Sequence, residues 1–117
     1  MLDSLMLPKD FLEDPYLANW KHKKIMEQIK MFEEKLDDNH EIAIQLTSFG
    51  VSKLMAVHEI SYQNPDMLYF FGTVDGQPAQ LIQHTSQLNF LIIAVEKPDL
   101  SAPARRISIG FRDSNED

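Results

Sequence analysis

The hydrophobic period of this sequence changes once, close to residue 40, and this change limits the folds that the chain can adopt. Between Tyr16 and about Leu36 there is no Gly or Pro, and the residues of one stripe recur every three or four positions, as on one face of a helix. The stripe consists of Ala18, His22, Ile25, Ile29, Phe32 and Leu36. Asp14 is a suitable N-cap with Pro15 at the first helical position, and Asp37-Asp38-Asn39 is expected to end the helix. The spacing also fits a short heptad seam, but a single helix packed on a sheet is favoured.

From His40 onward apolar and polar residues alternate, which is the period of a strand. Turn residues divide the rest of the chain into short segments, which predicts a meander of about five strands and a short sixth. The predicted turns are Ser48-Phe49-Gly50, Asn64-Pro65-Asp66 and Val74-Asp75-Gly76-Gln77. The strands after the first are predicted at residues 51–62, 67–71, 79–84, 90–95 and 107–111.

A helix followed by a meander predicts an α+β domain, in which one N-terminal helix packs on a strongly curved antiparallel sheet of five to six strands. The same order fits a small barrel of the Sm-like or SH3-like kind, so an open sheet and a closed barrel are both compatible with it. We predict an N-terminal arm at residues 1–14, a single α+β domain at residues 15–113 and an acidic tail at residues 114–117. Such an arm either docks on its own domain or a partner subunit, or is disordered. The apolar residues of the arm are Leu2, Leu5, Met6, Leu7, Phe11 and Leu12.

Composition and charge exclude several classes of protein. The chain has 117 residues and no cysteine, which removes disulfides, thiolate catalysis and zinc–cysteine sites. Its formal net charge of −7 disfavours a phosphate backbone as a partner, so nucleic-acid binding is not predicted. No window approaches about 18 uninterrupted apolar residues, so no membrane span is predicted. Residues 1–8 lack the basic start and long apolar run of a signal peptide, and a cytoplasmic location is the default expectation.

Catalytic and metal-binding patterns are not found. The four histidines, His22, His40, His58 and His84, have no metal-ligand spacing such as i, i+2 or i, i+4. There is no Gly-rich phosphate loop, and no serine lies in a nucleophile-elbow motif. We therefore predict that the protein is not an enzyme and has no metal site and no cofactor.

Polar side chains are concentrated at residues 80–89, directly before an apolar run at residues 90–95. Buried Gln and His are costly unless they are hydrogen-bonded, while Ser, Thr and Asn satisfy backbone groups at turns. The segment is therefore either a hydrogen-bonded corner that leads into a core strand, or a recess that binds a nucleotide base, a small polar ligand or a peptide backbone. Arginines at residues 105 and 106 could add phosphate- or carboxylate-binding groups to such a recess. The candidate ligand-binding residues are Gln80, Gln83, His84, Ser86, Gln87, Asn89, Arg105 and Arg106.

Two predicted strands, Met67–Phe71 and Phe90–Val95, are apolar on both faces. One helix cannot cover both, so we predict a homo-oligomer that buries the remaining apolar surface. The favoured function is a non-catalytic binding or interaction module, for which a protein partner is also open. The alternatives are a small-ligand or nucleotide-binding domain that uses the Gln80–Asn89 corner, and an acidic inhibitor related to phage or defence systems.

Several short motifs resemble those of a small bacterial family described only as a domain of unknown function. The resemblance runs from about Trp20 to Phe111 and rests above all on Gln-Leu-Ile-Gln-His-x-Ser-Gln-Leu-Asn at residues 80–89. Further similar stretches are residues 32–40 (Phe-Glu-Glu-Lys-Leu-Asp-Asp-Asn-His), Ser48-Phe49-Gly50, Asn64-Pro65-Asp66, Arg105-Arg106-Ile107 and Gly110-Phe111, with Ser108-Ile109 as an apparent insertion. The resemblance implies no activity, because none can be carried over from that family.

Overall fold

The computed structural model describes residues 13–46 and 53–109. In these ranges the elements are α1 (Ala18–Glu33), β1 (His40–Leu46), β2 (Lys53–Gln63), β3 (Met67–Val74), β4 (Gln77–His84), a 3₁₀ turn (Thr85–Gln87) and β5 (Phe90–Glu96). Helix α1 packs against β2 and β3, so the predicted α+β class is confirmed. The predicted turn at Ser48-Phe49-Gly50, residues 1–12 of the arm and the acidic tail lie outside the described residues.

The described strands form one antiparallel sheet in the order β4-β3-β2-β1-β5. Strands β4 and β5 are the two edges and do not pair with each other, so the sheet is not closed and the barrel alternative is wrong. Of the predicted sixth strand, the described residues 107–109 make one parallel bridge, from Ser108 to Glu59 of β2, and residues 110 and 111 lie outside the described residues. The backbone carbonyl of His58 and the N–H of Ile60 both pair with Ser108 there. Strand β1 pairs with β2 only at residues 53–56 of β2, and the segment at Ser108 lies beside the next part of β2.

The sheet is nevertheless strongly curved. Strands β3 and β5 are separated by two other strands, which in a flat sheet would place them about 14 Å apart, at three spacings of ~4.8 Å. The rings of Phe70 in β3 and Phe90 in β5 are in edge-to-face contact, with centroids 5.4 Å apart. The two ends of the sheet therefore bend towards each other over one core.

A β-bulge in β2 changes which residues face that core. The register of β2 against β3 shifts between Val57 and Glu59, so that Val57 and Ile60 are both fully buried. Regular strand alternation would place these two residues on opposite faces, but the bulge inserts one extra residue and brings both to the core side. Gly72 lies opposite the bulge, and a Cβ there would clash with the Ala56 carbonyl oxygen. Only glycine allows this close approach of the two backbones.

Helix α1 begins later than predicted. Asp14 and Pro15 lie in a turn before it, where the Asp14 carboxylate accepts a backbone N–H two residues along the chain. The first helical N–H groups are satisfied instead by the turn at Asn64-Pro65. The N–H of Ala18 donates to a carbonyl oxygen of that turn at 2.7 Å, and the N–H of Asn19 donates to a side-chain oxygen at 3.0 Å. The cap thus comes from a turn distant in sequence, which local reading of the chain does not reveal.

The core is a single cluster between α1 and the curved sheet. The predicted helix stripe is confirmed at Ala18, His22 and Ile29, whereas Met26 is buried and Ile25 is only partly buried. The buried apolar residues of the sheet are Ile42, Ala43, Ile44, Leu46, Met55, Val57, Ile60, Leu68, Phe70 and Leu81. The apolar run at residues 90–95 was expected to be a core strand, but β5 lies at the sheet edge and none of its residues is fully buried.

Candidate functional site

The polar corner predicted at residues 80–89 is a real turn that joins the two edge strands. Strand β4 ends at His84, the 3₁₀ turn follows, and β5 begins at Phe90. Nδ1 of the His84 ring accepts the Ser86 backbone N–H at 3.1 Å and lies 2.8 Å from the Ser86 hydroxyl oxygen. With Nδ1 as the acceptor, Nε2 carries the hydrogen and donates to the Asp66 carboxylate at 2.9 Å. The Thr85 N–H also donates to the Asp66 carbonyl oxygen, so this turn is fixed to the one before β3.

Ser86, His84 and Asp66 thus form a hydrogen-bonded chain of the residue types used in nucleophilic catalysis. Its geometry differs from that of an activated nucleophile, because Nδ1 also accepts the Ser86 backbone N–H. That bond caps the 3₁₀ turn, for which His84 is the N-cap residue. All three side chains lie at the surface, where water competes for their hydrogen bonds. The arrangement therefore accounts for the shape of the turn.

The other corner residues differ in their exposure. Gln83 is buried, with Nε2 donating weakly to the Gln87 carbonyl oxygen at 3.4 Å, and its Oε1 has no hydrogen-bond partner in the described part of the chain. Gln80, Gln87 and Asn89 are exposed. Gln80 lies on β4 opposite Phe71, away from the 3₁₀ turn. The corner thus consists of a 3₁₀ turn capped by His84 and the buried amide of Gln83. The other amide side chains are exposed.

Arg105 and Arg106 do not join this corner. The Arg106 guanidinium donates to the His40 carbonyl oxygen at 2.8 Å and to the Asp37 carbonyl oxygen at 3.2 Å. These partners lie at the start of β1, which pairs with the end of β5. The corner lies at the start of β5, six residues away and therefore about 20 Å along the strand. The two arginines therefore make their contacts at the other end of β5 from the corner, and a role for them in ligand binding stays a prediction.

The arginines instead belong to a set of contacts that holds the chain after β5. The Glu41 carboxylate accepts the Arg105 backbone N–H at 2.6 Å, and its other oxygen lies 3.4 Å from Arg105 Nη2. The Glu33 carboxylate accepts the Ile107 N–H at 2.8 Å, and Lys30 Nζ donates to the Ile107 carbonyl oxygen at 2.7 Å. We call Lys30, Glu33 and Glu41 the C-terminal clamp. Both carboxylates are buried, at 7% and 5% exposure.

Sequence reasoning missed the clamp, although one of its residues left a signal. The buried face of α1 passes through His22, Met26 and Ile29 and reaches Glu33, so this carboxylate stands where an apolar residue is expected. A charged residue on a buried stripe indicates a specific partner. Glu41 left no such signal, because alternation placed it on the outer face of β1.

His22 was predicted as part of the helix stripe, and the structure gives it a bonding role. It is 4% exposed, and its Nε2 lies 2.7 Å from the Ile60 carbonyl oxygen and 2.9 Å from that of Ile109. Both partners are acceptors, so Nε2 carries the hydrogen and shares it between them. The ring also packs against Tyr62. His22 thereby links α1 to β2 and to the chain after the clamp.

One surface carboxylate beside the clamp has a perturbed pKa. The pKa of Asp37 is lowered from 3.8, chiefly by the hydrogen bond from the His40 ring and then by the backbone N–H of Asn39. Among the described residues, no three His, Asp or Glu side chains lie close enough together to hold a metal ion. No helix in the described ranges is long and apolar enough to cross a membrane.

Comparison with known proteins places the chain in a family. Residues 18–111 match a family of unknown function, DUF6173, and this range includes α1, all five strands and the clamp. A search of curated proteins gave no match, and a search of solved structures gave none either. Since the match covers most of the chain, the protein belongs to the DUF6173 family.

Proposed function

We propose that the protein is a non-catalytic interaction module that assembles as a homo-oligomer through the outer edge of β5. The observation that carries this proposal is the exposure of an apolar edge strand. In the described part of the chain, β5 pairs on one side only, with β1. Leu91 is 56% exposed, and Ile93 and Val95 on the same face are half-buried. An edge strand of this kind is a ready template for pairing with another chain.

The two edges of the sheet differ in how they are protected. Strand β4 contains Pro78, whose missing N–H limits edge pairing, and four polar amide or imidazole side chains. Strand β5 has the sequence Phe-Leu-Ile-Ile-Ala-Val-Glu, without Pro or Gly and with a charge only at its end. Its β-branched and apolar residues favour strand pairing. This contrast supports β5 as the interface.

A two-fold dimer is the simplest assembly through such an edge. Two antiparallel copies of β5 centred on Ile93 would place Leu91 opposite the partner's Val95. The outer-face residues of both strands would then form one continuous apolar strip, and each would cover part of the other. The interface would be isologous, with β-strand addition supplying backbone hydrogen bonds and apolar cross-strand pairs. The proposed assembly is cytoplasmic, and it needs no disulfide, since the chain has no cysteine.

A matched pair of substitutions tests the proposal. Leu91→Lys in β5 introduces a charge at a position that is 56% exposed, and Ile82→Lys in β4 does so at a position that is 57% exposed. We expect the wild-type chain to sediment as a dimer at micromolar concentration. Leu91→Lys should raise the dimer dissociation constant at least about tenfold, equivalent to ~1.4 kcal/mol. Ile82→Lys should leave it unchanged.

Two results would contradict the proposal. A wild-type protein that is monomeric throughout the micromolar range would refute the proposal. A dimer that is weakened by Ile82→Lys and unaffected by Leu91→Lys would place the interface elsewhere and contradict the role of β5. Circular dichroism of both variants should match the wild type, because neither side chain belongs to the core cluster.

A further inference from the structure

A groove of about 960 Å³ runs beside α1, on a different part of the molecule from the β5 edge. Its apolar lining comes from α1, from β2 and from the end of the described chain. Met31 and Ile109 in this lining are 54% and 55% exposed, and Met26 and Tyr62 form the floor between them. A concave apolar surface of this size is typical of a binding site.

The described chain begins at this groove. Glu13, the first described residue, lines the groove and forms an ion pair with Lys23 of α1 at 3.1 Å. Phe11 and Leu12 precede it directly in the sequence. Consecutive Cα atoms are 3.8 Å apart, so the Cα of Phe11 lies within about 7.6 Å of that of Glu13. The sequence thus supplies two large apolar residues directly before a residue of the groove lining.

We propose that residues 1–12 dock into this groove of their own chain, with Phe11 and Leu12 packed against Met31 and Ile109. Besides Met1, the arm contributes six apolar side chains in twelve residues, which is the chemistry that the lining requires. Tethering at Glu13 gives the arm an effective concentration in the millimolar range, so a weak intrinsic affinity suffices.

Other occupants fit the groove less well. Residues 110–117 continue from Ile109, but they contain a single apolar residue, Phe111, and three acidic ones. The groove lining holds the carboxylates of Glu13, Glu27 and Glu34 against the lysines Lys23 and Lys30, and this acidic excess disfavours an acidic segment. A second copy of the chain would have to displace a tethered arm and would bind in a concentration-dependent way.

The absence of native cysteine allows a direct test in the full-length protein. Met31→Cys and Ile109→Cys each place a single thiol in the groove, and Leu100→Cys places one at a site that is 66% exposed and does not line it. The measured quantity is the rate of labelling by a maleimide. We expect the two groove thiols to react at least roughly tenfold more slowly than the control thiol, because the arm must open first.

The same measurement with the arm substitutions Phe11→Asp and Leu12→Asp completes the test. These substitutions should accelerate labelling at residues 31 and 109 and leave residue 100 unchanged. Groove thiols that react as fast as the control in the unsubstituted arm would overturn the proposal. Protection that persists with the arm substitutions would also overturn it and would indicate that the C-terminal tail occupies the groove. Protection that is lost on dilution would overturn it as well and would indicate a second copy of the chain.

Discussion

The C-terminal clamp should contribute to the free energy of unfolding, and its geometry gives the size of that contribution. Glu33 lies at the last position of α1 and is 7% exposed. One oxygen of its carboxylate accepts the Ile107 N–H at 2.8 Å, and the other lies 3.2 Å from Lys30 Nζ. Ile107 itself is 2% exposed and packs in the core cluster. The substitution Glu33→Ala removes the acceptor while leaving the buried N–H in place.

The expected loss of stability follows from two contributions. A buried donor without a partner costs about 1–3 kcal/mol, and a hydrogen bond to a charged group contributes about 1.5–3 kcal/mol. These overlap, because both describe the same lost bond, so Glu33→Ala should lower the free energy of unfolding by about 2–3 kcal/mol. Glu33→Gln keeps an acceptor oxygen without the charge and should cost about 1 kcal/mol. A larger loss of stability for Glu33→Ala than for Glu33→Gln would identify the hydrogen bond to the Ile107 N–H as the cause.

The assay is urea unfolding, followed by the fluorescence of Trp20, the single tryptophan. Glu34→Ala is the matched control, because Glu34 is the adjacent residue and is exposed. Its free energy of unfolding should stay within about 0.5 kcal/mol of the wild type. If Glu33→Ala also stays within that range, the reasoning that the clamp holds the chain after β5 is refuted. Equal losses for Glu33→Ala and Glu33→Gln would show that charge, not the bond to Ile107, is the cause.

Four other predictions concern the corner, the bulge and the surface carboxylate. His84→Ala should lower the free energy of unfolding by about 1 kcal/mol, because it removes the cap of the 3₁₀ turn and the bond to Asp66. Gln83→Leu should not lower the free energy of unfolding, because Oε1 is buried without a partner. Chemical denaturation should therefore show a loss of stability for His84→Ala and none for Gln83→Leu. Gly72→Ala should destabilise by more than about 2 kcal/mol in the same assay, since its Cβ would meet the Ala56 carbonyl, and an unchanged midpoint would contradict this. Because the pKa of Asp37 is lowered from 3.8, its stabilising effect exists above that pH and is lost as the pH falls through the folded-state pKa. The stabilities of wild type and Asp37→Asn should therefore differ at pH 7 and converge below 3.8, and a constant difference over that pH range would disprove the assignment.

The fold class and the positions of most elements could be predicted from sequence, because periodicity and turn residues are local signals. The helix stripe predicted α1, the alternation of residues predicted β1, and Asp75-Gly76 predicted a hairpin turn. The order of strands in the sheet carries no local signal. An apolar run such as Phe90–Val95 has the same composition at an unprotected edge as at the centre of a sheet. Its edge position follows from pairing with β1 alone, which is a long-range fact.

In the candidate site, too, side chains with local partners could be predicted from sequence, and side chains with distant partners could not. The corner at residues 84–86 is held by bonds within three residues and by Asp66, so sequence could locate it as a hydrogen-bonded turn. The pair Arg105-Arg106 could not be placed in that way, because its partners, Asp37 to Glu41, are more than sixty residues away. Guanidinium groups suit a bound phosphate and a backbone carbonyl equally well, and only the path of the chain after β5 decides between them. That path is fixed by Glu33 and Glu41, two carboxylates buried against backbone N–H groups. The arginines are therefore better understood as part of the clamp than as part of a ligand site, and loss of stability, rather than loss of ligand binding, is the consequence to expect from their substitution.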